Sequence, residues 1–567
     1  MFSKVNINKD DRKGLEYRHS TYCESSMDRK NDALVVKEYI HTKDGERIPN
    51  LRILENFERP FYITKKGYRD HNDKLEYEDL DKVDLFKTNQ RNLVDAIAKR
   101  LGHFGPTQGL KHICRSPYVY GADIGPGPIL HYNYKKKWPD QVGAPARVAA
   151  FDIETDVVHG TEDIILSSVS FKDKVICTIN KSWLDCENDP MMFDRLKARV
   201  NELLKEHIDK RKIKIEYKFC ENEAVVAQEA FKKAHEWMPD FVSIWNINFD
   251  LPKVLQALDK YQVDPASVFS DPSVPNQYKF FKYKEGSRVK KTQDGTVMSL
   301  HFADRWHIAT CPSSFYFLDS MCLYKRIRTA RGNVSSYSLD AALDRHLNLS
   351  KLKFDVGEVN SMLEWHYKMQ KYHKFEYIAY NIFDCIGLEL LDEKIGDISL
   401  AFPGLVGISD YGNFNKNPRR IVDDLHFYTL ENGRVIATTS DEVSEELDRF
   451  VVNMRDWIVT LGSYLIDENG IPIISDLPSL ISMIRTHLAD LDVEGTYPTL
   501  EAILNISKET THLELAGIKG LTELDRRMVG INMTGGKSNA VEICTTVFKA
   551  PSPTELLDLY RKQKNMV

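Results

Sequence analysis

The stretch that decides the fold is Arg147–Glu154, RVAAFDIE, an apolar run that closes on two carboxylates. A run of this length after turn-rich sequence reads as a β-strand, whose side chains alternate between faces with a period of two. Asp152 and Glu154 stand two apart, so both leave the same face at the strand's C-terminal end. Two like charges aimed at one point repel and raise each other's pKa unless something cationic sits between them. A hard divalent ion such as Mg2+ or Mn2+ is the simplest counter-charge, because carboxylate oxygens suit it and no histidine-rich or thiolate alternative lies nearby. An isolated D-x-E more often caps a loop or turn, so the pair gains meaning only with company.

Working outward, Ile165–Phe171 (ILSSVSF) and Lys174–Ile179 (KVICTI) read as neighbouring strands. Glu221–Trp237 spaces Val225, Phe231 and Ala234 as a helix, and Phe241–Trp245 (FVSIW) then reads as a buried strand. Strands alternating with helices indicate α/β. That last strand runs into Asn246–Asp250, which puts an aspartate at a strand end, where open α/β sheets build their sites. A further helix, from about Phe375 to Asp392, carries Phe383, Ile386 and Leu390 on one face. On it, Tyr380 and Asp384 are four apart and share a face. Taken singly, Asp250 reads as a turn residue and Tyr380 with Asp384 as a solvated pair; taken together, they put acids on three segments that one sheet can gather.

Turn chemistry sets the boundaries. Gly121–Pro145 carries GADIGPGPIL, the run Lys135-Lys136-Lys137 and Gly143-Ala144-Pro145, which marks the end of an N-terminal unit. An α/β and α+β multidomain chain in three parts is expected: a mixed N-terminal domain over 1–146, a domain with a mixed sheet over 147–394 that holds the acids, and a connector leading into a further domain over 395–567. The second boundary falls between about Ile395 and Arg420, and residues 395–430 are a candidate to complete the N-terminal domain. The 567 residues hold 77 Lys+Arg against 83 Asp+Glu, a net charge of −6, so any nucleic-acid contact must come from a local basic surface. Hydrophobic residues at 42% and charged residues at 28% exclude wholesale disorder. The nine cysteines include no C-x-x-C pair, which argues against a zinc ribbon and for reduced thiols, hence a cytoplasmic setting. The opening MFSKVNINKDDRKG lacks a signal-peptide core, and no stretch approaches the roughly 18 apolar residues of a membrane span, so no membrane is expected.

FDIE at Phe151–Glu154, WNINFD at Trp245–Asp250 and YNIFD at Tyr380–Asp384 resemble, in this order, the three exonuclease motifs of family B DNA polymerases. The likeness is to the replicative polymerases of T-even-like bacteriophages. The flanks agree: ENEAVVAQEAF leading to PDFVSIWN resembles the approach to the second motif, and SSYSLDAALDRHLNLSKL resembles the YSLD segment before the third. The resemblance implies a ribonuclease H-like domain with a mixed sheet and a DEDD-type 3′-5′ exonuclease that uses two divalent ions, Mg2+ or Mn2+. It implies that Asp152 bridges both ions, that Glu154 and Asp384 hold the ion that activates water, and that Asp250 serves the ion on the leaving-group side. Tyr380 would orient the attacking water, Asn246 would meet the frayed 3′ strand or set the loop geometry, and Phe249 would contact DNA. In one departure, two residues separate Asn246 from Phe249 where many relatives have three, which bears on loop shape.

Between the second and third motifs, Lys279, Lys282, Lys284, Arg288, Lys290 and Lys291 interleave with Tyr278, Phe280, Phe281 and Tyr283. Cations for phosphates and aromatic faces for unpaired bases suit single-stranded DNA. Asp294-Gly295 is a favoured hairpin turn. The plainer alternative is a solvated amphipathic hairpin whose aromatics are core. Downstream, DVEGTYPT at Asp492–Thr499 and NISKET at Asn505–Thr510 resemble the family's D-x-x-S-L-Y-P-S and N-I-S-P-E-T, with Gly495, Thr496 and Lys508 departing. That likeness implies a partial palm, with Asp492 as a metal ligand and Tyr497 beneath the nucleotide's sugar. D-T-D and K-x-x-x-N-S-x-Y-G are not found, and Gly535-Gly536-Lys537-Ser538 is discounted as a phosphate loop because Ile531 stands where glycine is needed. The expectation is therefore the proofreading exonuclease part of a replicative polymerase, acting on single-stranded and primer-template DNA. A second polypeptide would supply the rest of the palm, fingers and thumb, and a sliding clamp is a further candidate partner. A free-standing DEDD exonuclease on DNA or RNA and a non-catalytic replisome scaffold are the alternatives; four acids facing a phosphate argue against the scaffold.

Overall fold

The computed structural model describes residues 2–5, 7–72, 74–103, 109–139, 145–184, 191–291, 297–328, 334–398 and 417–440, with two short strands at 512–515 and 529–532. The chain divides into two compact units, Met1–Leu447 and Asp448–Val567. Within the second, the described residues are His512–Leu515 and Val529–Asn532, which pair antiparallel. Asp492, Tyr497 and the run Gly535–Ser538 lie outside the described residues.

The first unit opens with β1 (Phe2–Ser3), β2 (Arg12–Glu24), β3 (Asp32–Thr42) and β4 (Arg47–Glu55), an antiparallel sheet of order β1-β4-β3-β2. Next come β5 (Arg59–Thr64), β6 (Tyr77–Asp79), β7 (Val83–Thr88) and β8 (Val119–Tyr120), with β5 between β7 and β8. β6 pairs instead with Arg434–Ile436, and the helix Asn417–Glu431 before that late strand seats Phe427 against Ile124 and Ile129. The chain thus returns to its N-terminal part with a helix and a strand.

Between these segments lies a mixed six-stranded sheet. Its strands are β9 (Val148–Thr155), β10 (Ile164–Phe171), β11 (Lys174–Asn180), β12 (Lys214–Cys220) and β13 (Phe241–Ile244). After three short strands and β17 (Ile308–Thr310), β18 (Tyr316–Asp319) completes it in the order β12-β11-β10-β9-β13-β18. β10 runs antiparallel to both neighbours, whereas β13 is parallel to β9 and to β18. The period-two alternation of β9 sorts its residues between two cores. Ala149, Phe151 and Ile153 pack with the helices Glu223–Trp237 and Ile247–Lys260, while Ala150 packs on the other side with Ile378, Ile382 and Cys385 of the helix Lys374–Ile395. Asp152 and Glu154 share the face of Ala150.

The helices differ from their sequence expectations in instructive ways. Asn222 is an N-cap whose side chain accepts from Val225 N at 3.1 Å, so the helix starts at Glu223. The helix Lys374–Ile395 is buried on all sides from Tyr377 to Glu389, with Leu390 only half-buried, because it lies between the sheet and the helices Met192–Leu203, Leu339–Leu347 and Met362–Tyr372. A single apolar face was expected there; sandwiched on both sides, the helix needs apolar residues all round. It ends at Gly396, whose φ of +64° is left-handed and whose N–H reaches Asp392 O at 2.8 Å. Asn246–Asp250 is not a strand end: Ile247 begins a helix, and Asp250 sits in its first turn.

The N-terminal sheet is tied to the central sheet by buried charge. Asp240 Oδ2 accepts from Arg18 NH2 at 3.0 Å and from Arg147 N at 2.9 Å, and its Oδ1 accepts from the Tyr39 hydroxyl at 3.0 Å. Lys37 Nζ donates to Met238 O at 2.8 Å beside it. Burial pushes the Asp240 carboxyl upward, but Arg18 and Lys37 outweigh it and hold the group below the usual carboxylate range. Removing the carboxylate leaves the buried Lys37 without its neighbouring anion and leaves the buried Arg18 paired with Glu16 alone. Asp240→Ala is therefore expected to cost about 3–5 kcal/mol of stability, read as a lowered midpoint in urea unfolding; a loss below about 1 kcal/mol would show that the network carries no weight.

Candidate metal centre

β9 delivers Asp152 and Glu154, half-buried, and the helix Lys374–Ile395 delivers Asp384, buried, to the same side of the sheet. One carboxylate oxygen from each of the three lies within 4.8 Å of the others. Among the described residues this is the one cluster of metal-ligating side chains so arranged. Asp250, also buried, approaches along the backbone: its Oδ1 accepts from Ile153 N at 3.3 Å, the amide between the two β9 acids. The structure thus brings three of the four expected acids into one cluster and holds the fourth against the strand that carries two of them.

The electrostatics follow from that crowding. Burial and then the charge of Asp384 push the Asp152 carboxyl up to about 7. Burial and then Asp152 push both Glu154 and Asp250 well above the usual carboxylate range. Burial also raises Asp384, with the ammonium of Lys351 opposing it. Lys351 Nζ pairs with Asp384 Oδ2 and donates to the Tyr380 hydroxyl at 3.1 Å. Burial works against that ammonium, yet Asp384, Tyr380 and Asp152 together raise its pKa well above the ordinary lysine value. The other oxygen of Asp384, Oδ1, is buried and makes no hydrogen bond among the described residues. An acceptor-only set of this kind, with a buried lone oxygen, fits a hard divalent cation held by Asp152, Glu154 and Asp384.

Further side chains fix the acids. Asn381 Nδ2 donates to Asp152 Oδ2 at 2.7 Å, and the Tyr377 hydroxyl donates to Glu154 Oε2. Tyr380 is buried, its ring stacked on Tyr377 with centroids 5.8 Å apart. Lys351, Tyr377 and Asn381 were not foreseen. Lys351 sits in the quoted SSYSLDAALDRHLNLSKL segment, and Tyr377 and Asn381 stand seven and three residues before Asp384, a helical spacing that marks one face.

The basic segment resolves into two populations. Tyr278 is buried, Phe281 stacks on Phe269 with centroids 4.3 Å apart, and Tyr283 stacks on His307, so these rings face protein rather than offering free stacking faces. Lys282, Lys284, Arg288 and Lys290 are exposed, Arg288 being paired with Glu285 at 2.7 Å, and Lys279 is half-buried. Val289–Lys291 and Val297–Ser299 pair antiparallel, with Val289, Val297 and Met298 exposed. The turn expected at Asp294-Gly295 and the Lys291 side chain lie outside the described residues. Beside Asp250, Phe249 is 46% exposed and Asn246 is half-buried, its carbonyl accepting from Phe249 N at 3.0 Å.

In comparisons with known proteins, no family model and no curated sequence matches this chain.

A cation needs the acids deprotonated, and Asp152 keeps its proton below about pH 7. Affinity for Mn2+, read by calorimetry, should therefore rise with pH across the range in which Asp152 ionises, by about tenfold per pH unit per proton released. The metal-free protein should do the reverse. A carboxyl raised in the fold contributes stability that is complete below the ordinary carboxylate value and is lost as pH rises to the folded value, so for Asp152 the melting temperature should drop between about pH 4 and 7 and recover with Mn2+. Metal affinity flat from pH 5.5 to 8 would contradict the assigned ligands.

Proposed function

We propose that the segment around the six-stranded sheet is a ribonuclease H-like DEDD exonuclease domain that hydrolyses single-stranded DNA from its 3′ end. On this reading the chain is the proofreading part of a T-even-like replicative polymerase, with DNA synthesis completed by a second polypeptide. The observation that carries the proposal is the gathering of Asp152, Glu154 and Asp384 within 4.8 Å, from the first and third of three segments that resemble, in order, the exonuclease motifs. Three antiparallel-linked strands, extended in parallel by β13 and then β18 on the side of the first and by β12 on the side of the third, with the acids on that first strand, support the fold assignment.

Bound divalent ions would supply charge neutralisation at phosphorus and a deprotonated water, with no covalent enzyme intermediate. The protein's own share is positional. Asp152, Glu154 and Asp384 would hold the ions, and Asp250, fixed on the Ile153 amide, would add its charge from the helix Ile247–Lys260. The Tyr380 hydroxyl, held at 3.1 Å by Lys351, would align the water. The exposed Lys282, Lys284 and Lys290 offer phosphate contacts without base preference. Because Tyr278, Phe281 and Tyr283 are packed against protein, strand binding here would rest on charge more than on stacking at these rings.

Purified chain with Mg2+ is expected to shorten a 5′-labelled single-stranded DNA from its 3′ end. Asp152→Ala combined with Glu154→Ala should reduce this to the uncatalysed background while circular dichroism stays native. Undiminished shortening by the double variant would reject the assignment. Nucleotide incorporation on a primer-template by the lone chain is expected to be nil, and its appearance would refute the split arrangement.

A further inference from the structure

The helix Lys374–Ile395 presents more than Asp384 to the acid cluster. Asn381 and Tyr377 precede Asp384 on the same face, and they donate to Asp152 and Glu154 respectively. The Tyr377 oxygen is in turn met by two side chains of a second helix, Met362–Tyr372. Gln370 Nε2 donates to the Tyr377 oxygen at 3.2 Å, and His366 Nδ1 lies 2.8 Å from it.

We propose that Tyr377 is a positioning residue for the metal ligand Glu154, and that His366 and Gln370 fix Tyr377 in that role. A phenol has one proton and two lone pairs. With His366 in the tautomer that carries its proton on Nδ1, both lone pairs accept, one from Gln370 and one from His366. The single hydroxyl proton is then committed to Glu154 Oε2, which leaves the other oxygen of Glu154 to a cation.

Gln370 also fixes the backbone that bears Glu154. Its side chain is wholly buried; Nε2 donates to Thr155 O at 2.8 Å, and Oε1 accepts from Val157 N at 2.9 Å. The amide therefore clamps the chain where it leaves β9, one residue beyond Glu154, and holds the phenol at the same time. A purely packing role for Tyr377 would need only its ring, which stacks on Tyr380 with a 7° interplanar angle. The proton-by-proton match around its oxygen is what packing does not require.

The inference deepens the exonuclease reading and rests on it for the reaction, though not for the cation. Titrating the full chain with Mn2+ in a calorimeter, wild type against Tyr377→Phe, tests it directly, because the variant keeps the ring. Loss of a hydrogen-bond partner behind a ligand typically weakens metal affinity about 10–100-fold, so the Mn2+ dissociation constant should rise by that factor. The Mn2+ concentration for half-maximal DNA shortening should rise in parallel, while kcat at saturating Mn2+ stays within about threefold, since the ligands themselves are intact. A folded Tyr377→Phe with wild-type Mn2+ affinity overturns the proposal. Should that variant fail to fold, His366→Leu, at the partly exposed end of the chain of donors, should weaken Mn2+ binding about two- to tenfold, and wild-type affinity there overturns the proposal equally. Wild-type protein that binds Mn2+ without shortening DNA would sink the exonuclease reading alone, and the calorimetric comparison would still decide the role of Tyr377. Wild-type protein that binds no Mn2+ sinks both.

Discussion

Mutual repulsion among carboxylates at the end of β9 is the constraint around which the rest of the first unit is organised. Asp152, Glu154 and Asp384 cannot all be charged, close and dry without a cation, and burial pushes each toward its neutral form. The fold supplies one cation of its own, Lys351, and neutral donors, Asn381 and Tyr377, which favour the charged forms without adding positive charge. Such an arrangement is costly for stability alone. Apolar residues at these positions would pack at lower cost, so the cluster is best understood as a site kept ready for a ligand of high positive charge density.

How much of this was legible in the sequence depends on the distance over which each feature is determined. The alternation in RVAAFDIE is local, and so is the sharing of a helix face by Tyr380 and Asp384. The mixed α/β character follows from the same periodicities read over longer windows. Asp250 was misplaced at a strand end because Trp245–Asp250 carries no obvious helix start: Asn246 makes no side-chain cap, and Pro252 stands inside the helix. The roles of Tyr377, His366 and Gln370 could not be assigned, since their partners are set by two helices folding onto a strand more than two hundred residues away in sequence. The aromatic residues of the basic segment were ambiguous for a related reason. Composition cannot tell a ring that stacks on Phe269 from one that awaits a base, and tertiary packing chose the former for Phe281.

The N-terminal part is bound into the same argument by Asp240, the residue just before β13. Besides receiving Arg18 and Tyr39 from β2 and β3, its carboxylate accepts from Arg147 N, its own N–H donates to Arg147 O at 2.7 Å, and its carbonyl accepts from Tyr316 N at 3.0 Å. One buried residue therefore fixes the starting ends of β9, β13 and β18 relative to each other. β9 carries Asp152 and Glu154 five and seven residues beyond Arg147, and β13 leads within ten residues of Asp240 to Asp250. Strands are stiff at this length, so a register shift at Asp240 would reach the acids undamped and turn their side chains to the wrong face. The buried Arg18–Asp240 pair is thus also the common origin from which the positions of the strand-borne acids and of Asp250 are measured. This also explains why a sheet of the N-terminal part, remote in sequence from every acid of the cluster, bears on where those acids stand.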